Sequence, residues 1–106
     1  MVNENMNIGG YNFTDSQKIS VADNIERAAV YVVMTHDSVS WFYLYVGQTK
    51  DLAERFENHE KWNCWLKYQK SGGLYVSYLR EPDEDKRFRI EADLRDRLPG
   101  LQCNKQ

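Results

Sequence analysis

Two short apolar runs, separated by a turn, constrain the fold of this 106-residue chain more than any other feature. Residues 28–34 are apolar and mostly aliphatic, which predicts a buried strand. Residues 41–46 alternate along a second predicted strand, so we expect Trp41, Tyr43 and Tyr45 to share one face. The residues between the two runs are typical of a turn. The pattern therefore predicts an antiparallel hairpin.

Helical patterns follow this hairpin. Asp51 is expected to cap a helix that runs to about Glu60, because a glutamate three positions after it completes a capping box. Apolar residues at helical spacing predict a second helix over 62–68. A third strand is predicted over 74–79, and a last helix over 83–98.

The predicted elements indicate an α+β fold, in which a small three-stranded antiparallel sheet is flanked by about three helices. We expect residues 25–106 to form this one domain. Residues 1–24 are polar and lack a clear period, so they are predicted to be an N-terminal arm.

Composition excludes several classes of protein. No apolar run approaches the ~18 residues that a membrane span needs, and the polar start does not predict a secretory signal. Cys64 and Cys103 are too few for a disulfide scaffold, so we expect ordinary thiols in a cytoplasmic protein. With a net charge of −2, the chain lacks the basic field of a protein that binds DNA without sequence preference.

Two polar residues lie on the apolar stripe of the first predicted helix. Leu52, Arg55, Phe56 and His59 follow the spacing i, i+3, i+4 and i+7, which places them on one face. A charged guanidinium there is costly unless it meets an anion. The alternative is an arginine whose stem covers the edge of the core, beside a histidine with satisfied hydrogen bonds.

Three further residues place polar groups near buried faces. Glu91 lies at the rim of the stripe on the last helix, where it either pairs with Arg87 or Arg95 or binds a hard divalent cation. Tyr31 and Tyr45 lie within the predicted strands. They either pack with their hydroxyls toward solvent or aim those hydroxyls at a reacting phosphate.

Together these residues resemble the GIY-YIG nuclease family over residues 25–106. Residues 29–31 (Ala-Val-Tyr) occupy the first motif of the family and residues 45–47 (Tyr-Val-Gly) the second. Arg55 follows Gly47 by eight positions, as the family has it. The remaining matches, in chain order, are His59, Glu91 and Asn104.

The resemblance implies a metal-dependent DNA endonuclease that hydrolyses phosphodiester bonds. It implies that Tyr31 or Tyr45 is the base that activates water, and that His59 relays the proton or orients the hydroxyl. Arg55 would clamp the scissile phosphate. Glu91 would hold one Mg²⁺ or Mn²⁺ ion. Asn104, the last residue of this catalytic set, would brace the site from the tail, and Gly47 and Gln48 would be supporting positions.

Two departures from the family pattern keep an alternative open. Ala29 stands where the first motif has glycine, and Gln48 stands where some relatives carry lysine. Gln48 donates hydrogen bonds but does not lower the pKa of a tyrosine by charge. The alternative is therefore a catalytically weak or inactive module of the same fold that binds nucleic acid, and a globular protein of unrelated role is the third possibility.

DNA is the partner that the resemblance implies, and a dimer would be needed for double-strand cutting in a single encounter. Candidate contacts to the DNA backbone are Lys67, Lys70, Arg80, Lys86, Arg87 and Arg89. Candidates for base stacking are Trp62, Trp65, Tyr68 and Tyr75, with core or rim packing as the alternative.

Overall fold

The computed structural model describes residues 5–104, and its fold class is α+β, as predicted. The elements in chain order are β1 (Asn5–Ile8), β2 (Tyr11–Thr14), β3 (Gln17–Lys18), a 3₁₀ helix (Ile19–Asn24), β4 (Ala29–His36), β5 (Trp41–Thr49), α1 (Leu52–Glu57), α2 (Trp62–Tyr68), β6 (Leu74–Arg80) and α3 (Glu84–Arg97). Of the helices in this range, none is long and apolar enough to cross a lipid bilayer.

The main sheet has four antiparallel strands rather than three, in the order β3-β6-β4-β5. The three strands that the sequence predicts are β4, β5 and β6. The fourth, β3, contributes only Gln17 and Lys18, which pair with Val76 and Tyr75. Two polar residues carry no apolar period, and this is why the pattern does not reveal the strand.

The prediction of a loose arm over residues 1–24 is wrong for residues 5–24, and residues 1–4 lie outside the described range. β1 and β2 form a separate hairpin around Gly9 and Gly10, whose φ angles are 59° and 94°. Glycine adopts such positive φ angles without steric cost, so it suits a tight turn. The hairpin buries Ile8 and Phe13 almost completely. It therefore belongs to the folded domain.

The sheet separates two apolar cores. The first lies between the sheet and the α1–α2 side, and it includes Tyr31, Leu52 and Trp65. The second lies on the opposite face, where Leu94 of α3 and Phe13 of the hairpin pack on the sheet. Helices and hairpin thus cover both faces of β4, the central strand, which is buried from Ala29 to Thr35.

A β-bulge in β5 changes which side chains share a face. The register passes from Val33 opposite Tyr45 to Met34 opposite Tyr43, so Leu44 is an extra residue. Strict alternation would keep Tyr43 and Tyr45 together, but the bulge sends Tyr45 to the first core and Tyr43 to the second. The expectation of one shared aromatic face is therefore wrong, and Tyr45 is left on the same face as Tyr31.

Cys64 and Cys103 are joined by a disulfide, so the expectation of two ordinary thiols is wrong. The bond links α2 to the residues after α3, which lie 39 positions further along the chain. The backbone N–H of Cys103 also donates to the carbonyl of Leu44 (2.9 Å). The tail is thereby fixed along the outer edge of β5. Because the two cysteines are not free thiols, they do not indicate a cytoplasmic location.

Candidate active site

A buried hydrogen bond between Tyr31 and His59 lies at the centre of the candidate site. The Tyr31 hydroxyl oxygen is 2.7 Å from His59 Nε2, and both residues are more than nine-tenths buried. β4 supplies the tyrosine, and the chain just after α1 supplies the histidine. α1 ends at Glu57, earlier than predicted, so His59 reaches the inner face from a loop.

The backbone fixes which nitrogen of His59 carries the hydrogen. The N–H of Lys61 donates to His59 Nδ1 (3.0 Å), so Nδ1 is unprotonated. Burial, with a further contribution from the charge of Arg55, lowers the pKa of His59 to about 4. The imidazole is therefore neutral at pH 7 with its hydrogen on Nε2. Hence His59 donates to the Tyr31 oxygen, and the hydroxyl hydrogen of Tyr31 points elsewhere.

We expect this histidine to make stability depend on pH. Its pKa is lower in the folded chain than the usual value near 6.5, so the unfolded chain binds the proton more tightly. The free energy of unfolding should therefore fall as the pH decreases from about 6.5 to about 4. Urea denaturation of the wild type and of His59→Gln across this range measures the effect. A His59 NMR titration centred near pH 6.5 would contradict the assigned state.

Tyr45 is half-buried beside this pair. Its ring centroid lies 6.1 Å from that of Tyr31 and 5.3 Å from that of His59. Within residues 5–104 its hydroxyl makes no side-chain hydrogen bond, in contrast to that of Tyr31. Burial raises the pKa of both phenols, and the Arg55 guanidinium acts in the opposite direction on both. The same guanidinium therefore influences the ionisation of both tyrosines.

Arg55 occupies the boundary between this cluster and solvent. Its side chain is 28% exposed, and Nη2 lies 2.8 Å from Glu60 Oε1. Glu60 is itself 68% exposed, so solvent screens the ion pair strongly. A phosphate would have to compete only with this exposed carboxylate for the guanidinium.

Gly47 leaves the space that the Tyr31 side chain fills. The two residues are opposite each other in the β4–β5 register. A Cβ atom at position 47 would lie 2.5 Å from both Cζ and the hydroxyl oxygen of Tyr31, and 2.8 Å from Cε2 of Tyr45. No side chain larger than hydrogen fits there without moving one of the tyrosines.

Gly47→Ala should consequently displace the Tyr31 hydroxyl from His59. Small misplacements of catalytic groups are costly, so the DNA cleavage that the family resemblance implies should slow by about tenfold or more in this variant. Circular dichroism and cleavage rates, measured on the same preparation, separate this effect from unfolding. Unchanged cleavage in a folded variant would contradict the role given to this glycine.

Asn104 braces the backbone between Tyr45 and Gly47. Its Oδ1 accepts from the N–H of Val46 (2.8 Å) and its Nδ2 donates to the carbonyl of Val46 (3.0 Å). This is the pairing that a neighbouring strand would give to the outer edge of β5. Asn104 therefore holds the edge strand in place, consistent with the bracing role that the sequence predicts.

Glu91 lies near the cluster of Tyr31, Tyr45 and Arg55, but within the described residues it makes no hydrogen bond to any of them. In the described part of the chain it forms no direct ion pair with Arg87 or Arg95, but the charge of Arg95 still acts on it. Its carboxylate is half-buried, and burial raises its pKa. Its charge in turn raises the pKa of Tyr31 and of Tyr45. α3, which carries it, packs on the opposite face of the sheet, mainly against β4 and the edge strand β5.

The donor set at Glu91 fits a single hard cation. Among residues 5–104 no group of three or more His, Cys, Asp or Glu side chains is arranged to hold a metal ion. Mg²⁺ commonly uses one or two carboxylates and completes its shell with water and substrate phosphate. A half-buried carboxylate that makes no direct ion pair within the described residues suits that kind of site.

Arg87 is the residue near the site that sequence reasoning misplaced. It was expected on the surface, but it is 4% exposed and donates to Gln48 Oε1 (2.9 Å) and to the carbonyls of Glu81 and Pro82. Its spacing to Ile90 and Leu94 (i+3 and i+7) is the signal that would have revealed this. Gln48 is thus an acceptor for Arg87, rather than a free donor at the site.

A cavity of about 870 Å³ beside α1 includes His59 of the candidate site in its wall. Its carboxylates come from Asp23, Glu26, Asp51, Glu54 and Glu57. Such a wall repels phosphates, so a nucleic acid would have to approach the cluster from another direction.

No protein-family model matches the chain, and comparisons with curated proteins and with solved structures give no match either.

Proposed function

We propose that this protein is a metal-dependent DNA endonuclease of the GIY-YIG type. The observation that carries the proposal is the 2.7 Å contact between the Tyr31 hydroxyl and His59 Nε2, beside Tyr45 and Arg55. These residues are far apart in the sequence and come from β4, β5, α1 and the loop that follows α1. The space left free at Gly47 keeps the Tyr31 hydroxyl in this position.

Tyr31 is the better candidate for the base. Burial raises its pKa, but its oxygen receives a hydrogen bond from His59, and the Arg55 guanidinium favours its ionised form. Both interactions stabilise a phenolate. Tyr31 would first give up its hydroxyl proton to bulk water. The phenolate would then take a proton from the attacking water as the water oxygen bonds to phosphorus and the bond to the 3′ oxygen breaks, and that oxygen would take a proton from solvent. His59 would orient this oxygen, since its neutral ring donates and its other nitrogen is occupied.

The remaining groups would position the phosphate. Arg55 would bind it through its planar donor fork in place of Glu60. Glu91 would hold Mg²⁺ or Mn²⁺, which neutralises charge on the phosphate and on the leaving oxygen. Asn104 would keep Tyr45 and Gly47 in register.

Plasmid nicking tests the proposal. The purified protein should convert supercoiled DNA to the nicked form with Mg²⁺ or Mn²⁺ but not with EDTA, and Glu91→Ala and Arg55→Ala should both reduce the rate. Phe88→Ala is a suitable control, because Phe88 is also on α3 but is 49% exposed. Equal rates in wild type, Glu91→Ala and Arg55→Ala would reject the proposal.

The raised pKa of Tyr31 favours one second candidate, a module of the same fold that binds DNA without cutting it. DNA binding that needs no metal ion, is insensitive to Glu91→Ala and leads to no cleavage would establish this alternative.

A further inference from the structure

A groove open to solvent lies along the first half of the edge strand β5. We call it the edge groove. It has a volume of about 520 Å³, within the range of small-ligand sites. Its lining residues are Trp41, Phe42, Tyr43, Leu44, Tyr68, Lys70, Pro99, Gly100 and Gln102. None of them is acidic, in contrast to the carboxylate-lined cavity beside α1.

Aromatic faces and ammonium groups occur together at this groove. Trp41 is 48% exposed and Phe42 is 37% exposed, which is high for side chains of this size. The Lys70 ammonium lies 5.2 Å from the Phe42 ring centroid, and that of Lys67 lies 5.4 Å from the Tyr68 ring centroid. Within the described range neither lysine forms an ion pair.

The edge groove and the candidate active site lie along the same strand, β5. Phe42 and Tyr45 are three positions apart on β5, about 10 Å at the usual strand rise. The segment that lines the groove through Gln102 continues directly to Asn104, which braces Val46. A polymer bound at the site would therefore reach the groove with its next units.

We propose that the edge groove binds an unpaired strand of the DNA substrate, with a base stacked at Phe42 and with Lys70 near a phosphate. This inference rests on the proposed function, because it extends the same substrate. Exposed aromatic rings bind bases only where the bases are unstacked, whereas a duplex presents base edges and phosphates. The chemistry of the lining therefore favours a single-stranded arm over intact duplex.

Fluorescence anisotropy in EDTA tests this without cleavage. The probes are a labelled oligo-deoxythymidine and a labelled blunt duplex. Phe42→Ala and Lys70→Ala should each weaken binding of the oligonucleotide by about tenfold, with a smaller effect on the duplex. Lys70→Ala should also reduce the slope of the logarithm of the binding constant against the logarithm of salt concentration, by the amount expected for about one phosphate contact. Phe88→Ala on α3 and Lys18→Ala on the opposite edge strand should change neither.

The outcomes separate the two proposals. Unchanged oligonucleotide binding in Phe42→Ala and Lys70→Ala overturns the proposal that the edge groove binds an unpaired strand, whatever the result of the nicking assay. A concentration-dependent dimer in sedimentation that Phe42→Ala abolishes also overturns it, because a second copy would then be the occupant. Loss of nicking with intact oligonucleotide binding would instead count against the endonuclease.

Discussion

Tyr31→Phe should slow DNA cleavage by about 100-fold or more, the usual range for loss of a general base. The substitution removes the oxygen that accepts the hydrogen bond from His59 Nε2 and leaves the ring in place. The ring still packs against Phe56 (5.0 Å between centroids), so the core should remain intact. Cleavage of supercoiled plasmid by a variant with wild-type circular dichroism measures this effect.

Tyr45→Phe is the matched control for this prediction. Tyr45 lies on the same face, but in the described part of the chain its hydroxyl makes no side-chain hydrogen bond that would stabilise a phenolate. We expect a loss well below that of Tyr31→Phe. A larger loss in Tyr45→Phe would transfer the role of base to Tyr45, and wild-type rates in both variants would exclude tyrosine-assisted hydrolysis.

Reduction of the Cys64–Cys103 disulfide should lower the free energy of unfolding by about 4 kcal/mol. The bond closes a loop with a sequence separation of 39 residues, and the estimate follows from the entropy that such a loop removes from the unfolded chain. The loop contains β6 and α3, and Cys103 is fully buried beside Asn104. We therefore expect reduction to weaken both the fold and the bracing of Val46.

Urea denaturation with and without dithiothreitol measures this loss. The double variant Cys64→Ser, Cys103→Ser is the control, because it should unfold alike in both conditions and near the reduced wild type. Among the described residues there is no further cysteine to exchange with the pair. Identical midpoints for oxidised and reduced wild type would contradict a stabilising cross-link.

Sequence patterns were sufficient for the elements that bury continuous or periodic apolar surface. β4, β5, β6 and the three α-helices occur where predicted, to within a few residues. The pattern failed where structure depends on tertiary pairing. β3 is two polar residues on an existing edge, and the bulge at Leu44 reverses an alternation that the sequence shows as regular. The disulfide requires knowing that the tail returns to α2.

For the candidate site, the family resemblance indicated which residues lie together but not how their polar atoms pair. Tyr31, Tyr45, Arg55 and His59 do lie together, and Asn104 does brace the second motif. The tautomer of His59 depends on a hydrogen bond from the backbone of Lys61, and the Gln48 side chain accepts a hydrogen bond from a buried Arg87. Such details follow from three-dimensional contacts that residue spacing does not contain.

Paramagnetic broadening by Mn²⁺ in the NMR spectrum tests most directly whether these side chains form one metal site. The account predicts that sub-stoichiometric Mn²⁺ broadens the signals of Glu91, Tyr31 and Tyr45 together, and that Glu91→Gln abolishes this. Broadening confined to the carboxylates of the cavity beside α1, with Glu91 and both tyrosines unaffected, would contradict it.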